Sequence, residues 1–107
     1  MKLVLAIVNN DDSGAVSAAL TREGFSATKL ATTGGFLMAG NTTFLVGVRD
    51  DRVDTAIDVI RKHSSKRSQM VPTSSGYSQS LYSETPLEVT VGGATVFVVD
   101  VERFEKI

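Results

Sequence analysis

Thr42-Thr43-Phe44-Leu45-Val46-Gly47-Val48-Arg49-Asp50-Asp51-Arg52-Val53-Asp54-Thr55-Ala56-Ile57-Asp58-Val59-Ile60 is the stretch that decides the fold. Its first part, Thr42 to Val48, is rich in β-branched and aromatic residues and reads as a strand. Asp50 or Asp51 then suits a helix cap. Val53, Ala56, Ile57 and Ile60 recur at the i, i+3, i+4, i+7 spacing of an amphipathic helix. Arg61, Lys62 and His63 fall in its last turn, where positive charge complements the helix dipole.

The same order of elements precedes it. Lys2 to Val8 is a short apolar run, followed at once by Asn9-Asn10-Asp11-Asp12, and reads as a buried strand. Asp11 or Asp12 is expected to cap a helix whose Val16, Ala19 and Leu20 share one face. Gly24 ends that helix, because glycine accepts the left-handed conformation found there. Phe25 to Thr32 reads as a second strand, and Gly34, Gly35 and Gly40 mark an irregular segment before the third.

Beyond the second helix, Ser64 to Pro86 has neither period. It is Ser-rich, contains Pro72, Gly76 and Pro86, and holds both tyrosines, Tyr77 and Tyr82. A stretch of this length without regular structure is usually functional or disordered; the tyrosines either cover a ligand or pack the loop. Leu87 to Val91 and Ala94 to Val99 read as strands joined through Gly92-Gly93, a pair suited to a tight hairpin turn. Val101 to Phe104 suits a short terminal helical turn. The order is β-α-β-β-α-β with its last strand elaborated into a hairpin. That is an α+β, ferredoxin-like arrangement: an antiparallel sheet with both helices on one face.

Composition narrows the function. The 107 residues have a net charge of −1, 42% hydrophobic content and 21% charged content, which fits one globular domain spanning 1–107. That charge argues against a basic groove for a nucleic-acid polymer. No apolar run nears the roughly 20 residues of a membrane span. Met1 to Val8 is too short for a secretory signal. The absence of cysteine removes disulfides, zinc–thiolate sites and thiol catalysis. A cytoplasmic location follows as the expectation.

No enzyme is expected. His63 is the only histidine, and its helix-end position suits dipole compensation better than catalysis or metal ligation. Asp50, Asp51 and Asp54 open a helix, where acids belong. Gly34 to Gly40 lacks the Gly-Lys-Ser/Thr ending of a phosphate-binding P-loop.

Three stretches carry a resemblance. They are Ala27-Thr28-Lys29-Leu30-Ala31-Thr32-Thr33-Gly34-Gly35-Phe36-Leu37-Met38-Ala39-Gly40-Asn41-Thr42-Thr43-Phe44-Leu45, then Gly47-Val48-Arg49-Asp50-Asp51-Arg52-Val53-Asp54, and Val91-Gly92-Gly93-Ala94-Thr95-Val96-Phe97-Val98-Val99. Together they resemble the PII-like cyclic di-AMP receptor proteins, from Met1 to about Phe104. The resemblance implies a homotrimer around a threefold axis, with cyclic di-AMP in the cleft between neighbouring subunits. It implies a short T-loop at about 34–41 and a long B-loop at about 64–86. Ligand binding would reorder these loops and so control a protein partner, with no cofactor, membrane or nucleic-acid polymer involved. Thr28, Phe36, Leu37, Asn41 and Gly47 match ligand-contacting positions of that family. Just before Thr28, where some relatives place polar contacts, this chain has the small Gly24 and Ser26.

The chemistry of the ligand suits these residues. Two purines need an apolar wall, which Phe36 and Leu37 supply. Asn41 carries an amide that both donates and accepts, as an adenine edge requires; taken alone it reads as a turn residue. Gly34, Gly35, Gly40 and Gly47 let backbone N–H groups approach phosphates. Lys29 offsets ligand charge if it faces the site and is a solvated strand lysine otherwise. Two other functions fit the fold: a PII-type sensor of ATP and 2-oxoglutarate, and a trimeric divalent-metal-binding protein. The short glycine segment counts against the first. The lack of cysteine and the single histidine count against a transition-metal site.

Overall fold

The computed structural model describes residues 1–30, 40–71 and 87–107. The chain runs β1 (Lys2–Asn9), α1 (Asn10–Arg22), β2 (Ser26–Lys29), β3 (Asn41–Val48), a 3-10 turn (Asp50–Arg52), α2 (Val53–Ser64), β4 (Arg67–Val71), β5 (Leu87–Val91) and β6 (Ala94–Asp100). Four strands form an antiparallel sheet in the order β2-β3-β1-β6, the strand order of a ferredoxin-like sheet. β4 and β5 pair in a separate two-stranded sheet, an arm beside that body.

Strand alternation sorts the side chains of the sheet. Val4, Ala6 and Val8 of β1 and Phe44, Val46 and Val48 of β3 point to one face and are buried. They pack against Val16 and Leu20 of α1 and Ala56 and Ile60 of α2 in a single core. Phe25 completes it, with the Arg52 guanidinium 4.3 Å over its ring. Removing this apolar area from water is the main stabilising term for the fold.

Several local expectations need correction. Neither Asp11 nor Asp12 caps α1. Asn9 does, its side chain accepting from the Asp11 N–H at 2.8 Å, because β1 passes into the helix with no loop between them. Asp12 instead pairs with Arg67. At the other end, Gly24 has φ +86 and its N–H donates to the Thr21 carbonyl, while the Phe25 N–H donates to that of Leu20. This is a Schellman ending, in which the apolar residue after the glycine packs back on the helix. It takes Phe25 out of the strand, so β2 begins at Ser26; Ala31 and Thr32 lie outside the described residues.

Asp50 and Asp51 do not cap α2 either. The chain enters through the 3-10 turn with no side-chain cap. Asp50 meets the Met1 amino group at 2.7 Å, and Asp51 meets Arg49 at 2.9 Å.

The segment Ser64 to Pro86 is not wholly irregular: Arg67–Val71 is a strand, satisfied by Leu87–Val91 across the arm. That pairing changes the role of Gly92-Gly93. β5 and β6 do not close a hairpin on each other: β5 pairs with β4, and β6 takes the free edge of β1 from Val8↔Ala94 to Lys2↔Asp100. The two glycines, at φ +83 and +85, turn the chain from one sheet to the other, and the Gly93 N–H donates to the Ser64 carbonyl. Val101 to Phe104 forms no helical turn; the chain stays irregular, with the Val101 N–H on the Met1 carbonyl at 3.3 Å.

Candidate functional site

Among the described residues, no helix packs on the second face of the sheet. Cross-strand partners share a face, so the register builds three rows across it: Ser26-Gly47-Leu3-Val99, Thr28-Leu45-Leu5-Phe97, and Thr43-Ile7-Thr95. Both helices lie on the other side. Phe97 is 55% exposed and Val99 45%. Leu3, Leu5, Ile7 and Leu45 are half-buried and Thr43 is buried, so the exposed apolar part of this face lies at its β6 edge.

At the Ser26 end this face forms a groove of about 530 Å³, a size suited to small-molecule ligands. Leu3, Leu45, Ser26, Thr28 and Gly47 line its sheet side, and Met1, Val101, Phe104, Glu105 and Lys106 border it. Gly47 makes room in it: a Cβ there would sit 3.2 Å from the Met1 methyl. Met1 is held in place by Asp50, and the Met1 amino group keeps the Asp50 carboxyl below its usual range, first by hydrogen bonding and then by charge. Glu105 is engaged by Arg103 at 2.7 Å. The groove thus offers an apolar floor, a threonine hydroxyl, an aromatic ring at the rim and an ammonium group.

The expected site residues divide as follows. Thr28 and Gly47 meet in the groove. Asn41 lies on the same face but at the far end of β3, opposite Asn9. Six strand residues at about 3.3 Å each separate it from Gly47 by roughly 20 Å. Lys29 pairs with Phe44 across β2–β3, so it belongs to the helix side and is exposed there, away from Thr28. Gly35, Phe36 and Leu37 lie outside the described residues. Sequence reasoning missed Phe104 and Lys106. Their signal was faint: an aromatic at the end of the Val101 to Phe104 segment, which read as a terminal helical turn, and a lysine beyond it.

Comparison with known proteins bears on this face. The profile described as cyclic-di-AMP receptor matches residues 1–107, the whole chain. The chain belongs to the cyclic-di-AMP receptor family. This is a PII-like family, in keeping with the resemblance carried by the Ala27 to Leu45 stretch. Among solved structures, the chain is similar to a functionally unknown protein from Pediococcus pentosaceus ATCC 25745, at 40% identity and a TM-score of 0.76. The match covers 99% of this chain and 96% of that one. Among the described residues, no three metal-ligating side chains cluster, and no helix is long and apolar enough to cross a membrane.

Proposed function

We propose that the protein is a cytoplasmic cyclic di-AMP receptor that works as a homotrimer, holds its ligand between subunits and signals by rearranging its loops, without turnover. The observation that carries this reading is the division of the site. Thr28 and Gly47 stand at one end of the open face and Asn41 at the other, too far apart to grip one small ligand together. A neighbour docked on the apolar rows would bring its own Asn41 end to the Thr28–Gly47 groove of the first chain. Burying Leu5, Leu45, Phe97 and Val99 would drive the association at about 25 cal/mol per Å².

In such a cleft each group has a task. Leu3, Leu45 and the Phe104 ring wall a purine, as Phe36 and Leu37 do in the resemblance. The Thr28 hydroxyl and the Gly47 backbone approach polar edges of the ligand. Asn41 reads an adenine edge with its amide. Lys106 offsets phosphate charge; Lys29, on the other face, serves that role only toward a ligand group reaching around β2. Signalling requires that cyclic di-AMP bind one loop arrangement better than the other, and a downstream protein then reads the difference.

Isothermal titration with cyclic di-AMP, cyclic di-GMP, ATP and ATP plus 2-oxoglutarate, run beside sedimentation velocity, tests the reading. Selective binding of cyclic di-AMP by a three-chain species is expected, with no ligand hydrolysis. Equal affinity for the dinucleotides, a preference for ATP plus 2-oxoglutarate, or a monomer indifferent to millimolar cyclic di-AMP would overturn it.

A further inference from the structure

The first turn of α1 touches two parts of the molecule that the proposed function needs to connect. Asn9 ends β1 opposite Asn41. Asn10 grips that same end of β3 twice. Its N–H donates to the Gly40 carbonyl at 2.8 Å, and its side-chain oxygen accepts from the Thr42 hydroxyl at 2.5 Å. Two residues on, the Asp12 carboxylate accepts from both terminal nitrogens of Arg67, at 2.9 and 3.3 Å. Arg67 is the first residue of the β4–β5 arm.

The Asp12–Arg67 pair is more than a solvated contact. The Asp12 side chain is 10% exposed and that of Arg67 45%, so water screens the pair less than an ion pair on the open surface. Its two-pronged geometry fixes direction as well as distance. Arg67 also donates to the Ser65 carbonyl at 3.1 Å. It crosses over Gly92, where a Cβ would stand 2.6 Å from both Arg67 Nη1 and the Ser65 oxygen. Both connections that carry the arm, one through Ser65 and one through Gly92, therefore converge on the guanidinium that Asp12 holds.

We infer that the first turn of α1 is a coupling joint: Asn10 holds the Asn41 end of the ligand site, Asp12 holds the root of the arm, and one rigid helical turn links the two. Asp12 and Arg67 are positioning residues for the ligand, acting through this turn rather than by touching it. The inference rests on the receptor reading and specifies its regulation. Linkage makes the coupling reciprocal: if a placed arm favours binding, binding must favour the placed arm.

The test uses the full-length protein. Cyclic di-AMP affinity is measured by titration, and hydrogen exchange of the β4 and β5 amides is followed with and without ligand. The variants are Asp12→Asn, Arg67→Gln, the double variant, Arg67→Lys and the control Asp11→Asn. Ligand is expected to protect the arm amides in the wild type. Each single latch variant lowers affinity about fivefold or more, the lower end of typical coupling, and the double variant lowers it no further. Arg67→Lys, which keeps the charge and loses the second prong, falls between and serves if the others fail to fold. Asp11→Asn removes the same charge from the same turn and stays within about twofold, which separates the latch from the helix dipole. Wild-type binding with unchanged affinity in the latch variants, or with additive losses, overturns the joint alone. A wild type that ignores cyclic di-AMP overturns the receptor reading and the joint with it.

Discussion

Gly47→Ala separates folding from binding. Gly47 is in the interior of β3, pairs with Leu3 and Ser26, and is not among the glycines with positive φ. An alanine therefore fits the backbone, and the loss of unfolded-state freedom adds about 0.4–1 kcal/mol of stability. The opposing cost is small: the new Cβ meets the Met1 methyl at 3.2 Å, and that methyl ends a flexible side chain. The melting temperature should hold or rise slightly. Ligand faces a different situation, because the methyl stands on the floor of the groove between Ser26 and Leu3. Crowding a packed contact by one methyl costs about 1–3 kcal/mol, which is roughly 5- to 150-fold in Kd. Isothermal titration with cyclic di-AMP reads the second number, and thermal unfolding at fixed protein concentration reads the first. An alanine variant that melts normally and binds within about twofold of wild type would show that ligand does not use this groove.

Other substitutions probe the rest of the structure. Gly92→Ala should lower stability by about 1–3 kcal/mol in denaturant unfolding, since φ is +83 and the Cβ would meet the Ser65 oxygen at 2.6 Å. Gly14→Ala should raise it by about 0.8–1 kcal/mol, because the site is helical and the added carbon has no neighbour within 4 Å. Ile60→Ala empties a fully buried position of α2 and should cost about 2–5 kcal/mol by the same measurement. Phe97→Asp puts a charge in the middle row of the open face. Sedimentation should then report a single folded chain, and persistence of an assembled species would remove that face as the subunit contact.

Local chemistry was enough for most of the elements and for the family. Lys2 to Val8 announced a strand by its unbroken apolar run. Val53 to Ile60 announced a helix by its period, and the Ala27 to Leu45 stretch carried the family. These signals act between residues a few positions apart, or in one uninterrupted motif, so a linear reading captures them. Tertiary structure alone decided matters of competition between distant partners. Asn9 took the helix cap because β1 ended against α1 with no loop, leaving Asp12 to meet Arg67, 55 residues away. Leu87–Val91 could pair with β4 or with β6; it takes β4, while all seven residues of β6 pair with β1. Thr28 and Lys29 are adjacent in sequence, yet the two-residue alternation of a strand sends one to the groove and the other to the helix side. Which face is open depends on where both helices pack, a property of the assembled sheet that none of its strands carries singly.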